Sequence, residues 1–476
     1  MNDIHNKENT RETDIRSYML AIVIMGIFTF IFLCTEYLYV NRISGNISEN
    51  KTVLVQNYAL GVSALGFVLY PVLNRYCKKR YRKLWLIAIS AISLFGILAI
   101  CKSDTYEAIL IAGFMVSLML GMFGSCVFYT AAHLIKDDRY LARVAGIGYV
   151  LGITLQFINN NLIPLEMLEA IVLDICLLVL IVLLIKLEPQ HTFEGIKSRQ
   201  INEESYVKVK KLGIILILLI ILISCVFSTL DNAVTLVHAA GTFDIGQLPR
   251  ILLAVSGLVS GFLFDLQDRK YMSLSMYCMM LVSTICIAVF KFSGPFLAGL
   301  IVFYLTAGFF VVFFSTSFME LSLYMKRADL WAGLGRAVNN ITAAVISIGS
   351  LKLLSMGTNM LVFIFLIGMF IAVSIIAVLY TFQRQQLMDE IKEEKKTELS
   401  VQEKIKIITE RYALTPREKE VFYQLVFTED SIQKIADRLY ISKRTLERHI
   451  SSIYEKTGMK SRVGSVSYTH LRAHDT

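Results

Sequence analysis

The sequence predicts an all-α protein, a twelve-span transmembrane helical bundle built as six plus six spans and followed by a C-terminal cytoplasmic helix-turn-helix domain. Three observations carry this. About twelve apolar runs are each long enough to cross a hydrocarbon layer of ~30 Å. The 476 residues are 55% hydrophobic and only 18% charged, too apolar for a soluble chain of this size. Beyond residue 382 the composition turns polar, with helix caps and short apolar repeats.

Residues 1–16 are polar and of mixed charge, and they lead into a long apolar run without a small-residue cleavage site. This reads as a cytoplasmic tail before a membrane anchor, not a cleaved signal peptide. The first half, 17–187, holds apolar runs near Ser17–Tyr37, Val53–Leu73, Leu84–Cys101, Ala108–Leu134, Leu141–Phe157 and Leu165–Ile185. A polar linker, 188–211, follows. The second half, 212–382, holds runs near Leu212–Asp231, Ile251–Leu266, Tyr271–Phe290, Pro295–Met319, Leu330–Leu354 and Leu361–Thr381.

Basic residues alternate between loops. The second-to-third connection holds Arg75, Lys78, Lys79, Arg80, Arg82 and Lys83, and the central linker holds Lys197, Arg199, Lys208, Lys210 and Lys211. Intervening loops are nearly neutral. The positive-inside rule then places both ends in the cytoplasm of a cell with this protein in its inner membrane. Hydropathy thus delivers the C-terminal domain to the compartment that holds DNA.

The halves read as a repeat. The first spans of each end in a polar cluster with one acid, Cys34-Thr35-Glu36 and Ser228-Thr229-Leu230-Asp231. Asp265, Arg269 and Lys270, between the eighth and ninth spans, resemble the short loop motif of major facilitator transporters. The first-half copy, Asn74 to Lys83, keeps the basic residues and lacks the aspartate and glycine. The resemblance implies two six-helix bundles around a cavity near the midplane. Ionisable residues within spans are costly, so each is a site candidate. Glu36 and Asp231 are the ligand-sensing candidates. His133, Asp174, Glu320 and the Asn339-Asn340 pair also qualify, but the positions of Glu320 and His133 predict solvated ends of spans, and Asp174 suits a bond to a neighbouring helix.

Residues 383–411 form a charge-dense helical tether in which Leu387, Ile391 and Leu399 are too sparse for a heptad. The domain at 412–463 opens on Thr415-Pro416-Arg417-Glu418, a capping box with proline at the first helical position. Val421, Leu425, Ile432, Ile435, Ala436 and Leu439 supply its apolar positions. After a Tyr440-Ile441 turn, Ser442 caps a helix that ends at Gly458. On that helix Leu446, Ile450 and Ile453 share the core side. Arg444, Arg448, Ser451 and Glu455 fall opposite, with Ser452 beside them and Lys443 at the leading edge. By charge alone, a DNA-reading face and an ordinary solvated face fit equally.

The whole pattern resembles the LuxR/FixJ-type DNA-binding domain. The matching residues are Leu414-Thr415, Arg417-Glu418, Glu420-Val421, Ile435-Ala436, Ile441-Ser442, Thr445-Leu446, His449, Ile453-Tyr454, Lys456, Gly458 and Ser461-Arg462. Leu446 replaces a usual valine. Glu447 stands where a phosphate-contacting lysine is common, and Phe427 to Asp430 replaces a glycine turn. The resemblance implies double-stranded DNA as a partner and Lys443, Arg444, Thr445, Arg448, His449, Ser452 and Lys456 as its contacts. It also implies a homodimer on DNA, helped by a last helix of which this chain is short. Residues 464–476 resemble a translated sequencing adapter and are set aside as non-native.

Eight scattered cysteines without a CxxC pair imply neither a disulfide framework nor a zinc site. No nucleotide loop, catalytic triad or metal cluster stands out, so no enzyme, cofactor or metal is expected. The reading is a membrane-anchored transcription regulator whose partners are DNA, the lipid bilayer and an unknown small-molecule ligand. The alternatives are a secondary transporter with an attached regulatory DNA-binding domain and a helical protein-interaction module on an anchor.

Overall fold

The computed structural model describes residues 2–77, 79–135, 138–163, 165–187, 202–241, 249–291, 296–355, 360–428 and 430–458. Most of the central linker and all of 464–476 lie outside these. The chain divides into two compact units, Met1–Gln385 and Gln386–Thr476. The described elements are all helical. The first half comprises α1 (Asn2–Ser44), α2 (Glu49–Tyr76), α3 (Lys79–Lys102), α4 (Tyr106–Leu134), α5 (Leu141–Leu162) and α6 (Glu166–Leu187). The second comprises α7 (Glu203–Ala239), α8 (Pro249–Phe264), α9 (Met272–Lys291), α10 (Phe296–Ser322), α11 (Ala328–Ser355) and α12 (Met360–Arg411). The C-terminal unit adds α13 (Pro416–Phe427), α14 (Ile432–Arg438) and α15 (Lys443–Thr457).

Twelve helices therefore stand where twelve spans are expected. Among the described residues, ten are long and apolar enough to cross a membrane. Two shorter apolar helices, Arg250–Phe264 and Met272–Ile285, occupy the eighth and ninth places. At 1.5 Å per residue the 16 residues of α8 rise about 24 Å, just short of the hydrocarbon thickness. Helix ends run past the apolar runs: α7 begins at Glu203, where Asn202 caps it by accepting from the Ser205 N–H.

Packing bears out the repeat. α1 packs on α5 as α7 does on α11; α2 packs on α4 as α8 does on α10; α3 packs on α4 as α9 does on α10. The halves meet through α2 against α11 and α5 against α8, contacts that exchange under the same six-helix shift. The α5–α8 approach is close because Gly146 faces Gly257 and Gly261. A Cβ on Gly146 would lie 2.7 Å from the Gly257 carbonyl oxygen and 2.8 Å from Gly261 Cα.

One ion network contradicts the sequence expectation. Glu320 is not a solvated helix end; it is 3% exposed. Its carboxylate accepts from Arg384 Nη2 at 2.8 Å and from Arg269 Nε at 2.9 Å. Arg384 Nη1 also donates to the Arg269 carbonyl at 3.1 Å. Arg269 lies 3.6 Å from Asp265. Asp265 in turn accepts from the Ala142 and Arg143 N–H groups at 3.1 and 2.8 Å, satisfying donors at the N-terminus of α5. Gln267, Asp268 and Arg269 all have positive φ, so this turn folds back tightly enough to bring Arg269 inward. Charges held this deep persist because each finds a partner.

The C-terminal unit has its own core. Val421, Phe422 and Leu425 of α13, Ile435 and Ala436 of α14, and Leu446 and Ile453 of α15 are buried together. Ile450 and Leu439 pack at its edge. Ile432, expected inside, is 38% exposed at the start of α14. Ile405 and Ile408, from the last turns of α12, belong to the core. The end of the charged tether thus contributes to the domain that sequence pattern starts at residue 412.

Candidate nucleic-acid interface and membrane cavity

The three C-terminal helices start where their caps dictate. Thr415 and Glu418 form the capping box, with the Thr415 N–H donating to Glu418 Oε2 at 2.8 Å. Ser431 accepts from the Lys434 N–H, and Ser442 accepts from the Thr445 N–H at 3.1 Å. α14 closes with a Schellman pattern: the Ile441 N–H donates to the Ala436 carbonyl at 3.0 Å and the Tyr440 N–H to the Asp437 carbonyl at 3.2 Å. Tyr440 takes the left-handed position, φ 56°, that glycine usually fills, and the residue is 95% exposed. α15 ends on Gly458 at φ 71°.

These caps aim α15. Leu446 and Ile453 point inward, which leaves Lys443, Arg444, Thr445 and Arg448 exposed and His449 half-buried. Arg444 and Arg448 form no ion pair among the described residues. Lys443 lies 3.9 Å from Glu447, a weak exposed pair. Ser452 and Lys456 are placed differently. The Ser452 hydroxyl donates to Glu418 Oε1 at 2.7 Å, and Lys456 Nζ lies 2.7 Å from Glu418 Oε2. Of the seven expected DNA contacts, four are exposed on the open face, His449 is half-buried beside them, and Ser452 and Lys456 bond Glu418. The i, i+4 spacing of Ser452 and Lys456 is legible in the sequence. Their shared acceptor, 34 residues away from Ser452, is not.

Burial opposes ionisation of Glu418. Lys456, the Thr415 N–H and the Ser452 hydroxyl outweigh that and hold the carboxyl down to about 2, from an ordinary 4.5. A depressed carboxylate contributes stability that is present above its unfolded value and lost as pH falls through the folded one. The domain is therefore expected to weaken between about pH 4.5 and about pH 2. Hydrogen exchange of α13 and α15 in the intact protein, corrected for intrinsic rates, checks this. Glu418→Gln is expected to flatten the dependence in that window; an unchanged slope contradicts the assignment.

Within the membrane unit, a cavity of about 180 Å³ lies between α1, α7, α10 and α11, with side chains also from α2, α5 and α8. Glu36 and Asp231 both line it, as do Asn339 and Asn340. Glu36 Oε1 accepts from Gln56 Nε2 at 2.7 Å. Asn339 accepts from the Ser224 hydroxyl and Asn340 donates to the Ser63 hydroxyl, which ties α11 to α7 and α2. Sequence reasoning missed two lining residues, Arg250 and Arg336. Arg250 opens α8 and Arg336 lies in the early turns of α11, and neither stands out in the sequence as a site candidate. The His133 ring nitrogen bonds the Tyr129 carbonyl of its own helix at 2.8 Å.

Residues 412–469 match the model of the luxR family of bacterial regulatory proteins, and the match runs into the stretch set aside from residue 464. Over 53 residues, 11% of this chain and 70% of the relative, the chain is 42% identical to the spore germination protein GerE of Bacillus subtilis (strain 168). The chain is also similar to the crystal structure of an auto-inhibited POT family peptide transporter. That similarity has a TM-score of 0.47 and 9% identity over 78% of this chain and 97% of the other. At that score the likeness bears on neither fold nor activity. Through its C-terminal DNA-binding domain, joined to a membrane-embedded helical bundle, the chain belongs to the luxR family of bacterial regulatory proteins.

Proposed function

We propose that the protein is a transcription regulator of the inner membrane whose helical bundle senses a small molecule. The observation that carries this reading is the cavity lined by Glu36 of α1 and Asp231 of α7, in the same chain as a luxR-type domain. A regulator needs two states that its signal binds unequally. Two six-helix halves that meet at a polar cavity supply such a pair, because their relative movement reshapes the cavity. Lys443, Arg444, Thr445, Arg448 and His449 contact DNA in this proposal. Ser452 and Lys456 position α15 through Glu418 instead.

The test uses a reporter gene placed under a promoter that the protein occupies. Glu36→Gln and Asp231→Asn are expected to reduce the ratio of induced to uninduced output for the compound that elicits a response, at equal protein level. A normal dose response in both variants removes the acids from sensing. A response that tracks uptake of the compound, and not its binding, favours a transporter with an attached regulatory domain.

The alternation of basic and neutral loops supports a cytoplasmic position for both ends of the chain. Reporter fusions after Asn46 and after Glu203 are expected to report opposite faces of the membrane. The same face for both contradicts this orientation.

A further inference from the structure

We infer that the membrane cavity takes a small zwitterion with an aromatic body, its anionic end held by Arg250 and Arg336 and its cationic end by Glu36 and Asp231. The inference rests on the sensing reading above and adds to it the charge and shape of the ligand. All four side chains line one cavity. Yet no guanidinium nitrogen of either arginine comes within the 4.0 Å of an ion pair with Glu36 or Asp231. This differs from Glu320, Arg269 and Arg384, which satisfy one another directly.

Among the described residues, the guanidinium of Arg250 lacks acceptors. Nε and Nη1 of Arg250 are buried with no hydrogen-bond partner among the described residues. Arg250 lies over the Tyr37 ring at 5.9 Å. Arg336 lies over Phe32 at 5.1 Å and Phe314 at 5.7 Å, ring contacts that fix its position without using its N–H donors. A guanidinium offers five donors in a planar fork, which suits a carboxylate or phosphate. On the other side, Glu36 keeps one bond, from Gln56, and Asp231 has none among the described residues.

A ligand with one sign of charge leaves the opposite pair uncompensated. A cation faces two guanidinia, and an anion faces two carboxylates. A zwitterion meets both pairs and brings no net charge into the bundle, where an unpaired charge is costly. The walls add shape. Phe227 and Phe310 stack at 4.7 Å, and Tyr149 and Tyr304 complete an aromatic lining. The volume, about 180 Å³, lies below the roughly 300–1,000 Å³ typical of drug-sized ligands, so the occupant is small.

The experiment measures binding to the intact protein in lipid nanodiscs by titration calorimetry. The probes are phenylalanine, phenethylamine and 3-phenylpropionate, which share a ring and differ in charge. Phenylalanine is expected to bind on the order of tenfold or more tightly than either singly charged probe. Arg336→Gln is expected to abolish its advantage over phenethylamine, and Asp231→Asn its advantage over 3-phenylpropionate. Arg250→Gln reads the same contrast if Arg336→Gln does not insert. Equal affinities, tighter binding of a singly charged probe, or no binding of any probe would overturn the inference. Reporter induction by a purely cationic compound leaves sensing in place and overturns the zwitterion. Selective phenylalanine binding in a protein whose reporter never responds keeps the site and overturns the sensing reading.

Discussion

Glu320→Ala is expected to destabilise the membrane unit by about 3–5 kcal/mol, because it strands two buried guanidinia. Arg269 and Arg384 are 3% and 5% exposed, so water does not replace the lost carboxylate. Arg269 retains Asp265 at 3.6 Å, whereas Arg384 retains, among the described residues, the Arg269 carbonyl. The variant should melt far below the wild type in detergent, with little relief from added salt, since buried pairs are weakly screened. Removing Arg384 as well, in Glu320→Met with Arg384→Met, should recover much of the loss. The exposed pair of Lys326 and Glu203, 3.4 Å apart, is the contrast. Glu203→Ala should cost no more than about 1 kcal/mol. An unchanged melting temperature for Glu320→Ala shows that the network does not hold the bundle.

Arg444→Ala and Arg448→Ala are each expected to weaken specific DNA binding by about 1–3 kcal/mol, roughly five- to 150-fold. Both guanidinia are open, while Leu446 behind them is fully buried, so the domain should stay folded. A base-reading arginine lost should relax discrimination at one position. A phosphate-reading arginine lost should weaken all sequences alike and lower the salt slope by about one. Lys456→Ala should act otherwise. It removes a partner of Glu418 and so should lower domain stability along with affinity. Equal melting temperatures for Lys456→Ala and wild type would return Lys456 to the set of direct contacts.

Much of this architecture is legible because its causes are local. A capping box, an N-cap serine and a glycine after the last turn fix α13 and α15 within a few residues, and an apolar run of span length requires no distant partner. What is not legible depends on contacts far apart in sequence. Glu320 looks like a solvated helix end until Arg269, 51 residues away, and Arg384, 64 away, fold onto it. Ser452 and Lys456 look like members of a basic face until Glu418 takes them. Ile405 and Ile408 sit in a stretch dominated by charge, and only packing reveals them as core. Arg250 and Arg336 do not stand out, because nothing in their sequence neighbours signals a cavity. Glu36 and Asp231 were visible, since an acid at the same place in two repeated halves is a local signal read twice.

The central claim is that one chain both resides in the membrane and binds specific DNA from there. Its most direct test is cross-linking and immunoprecipitation of the full-length protein from intact cells, followed by sequencing of the recovered DNA. The wild type is expected to enrich discrete sites, and the Arg444→Ala, Arg448→Ala double variant to lose them at equal membrane abundance. Recovery of the same sites by the double variant, or of no discrete sites by the wild type, would contradict the account.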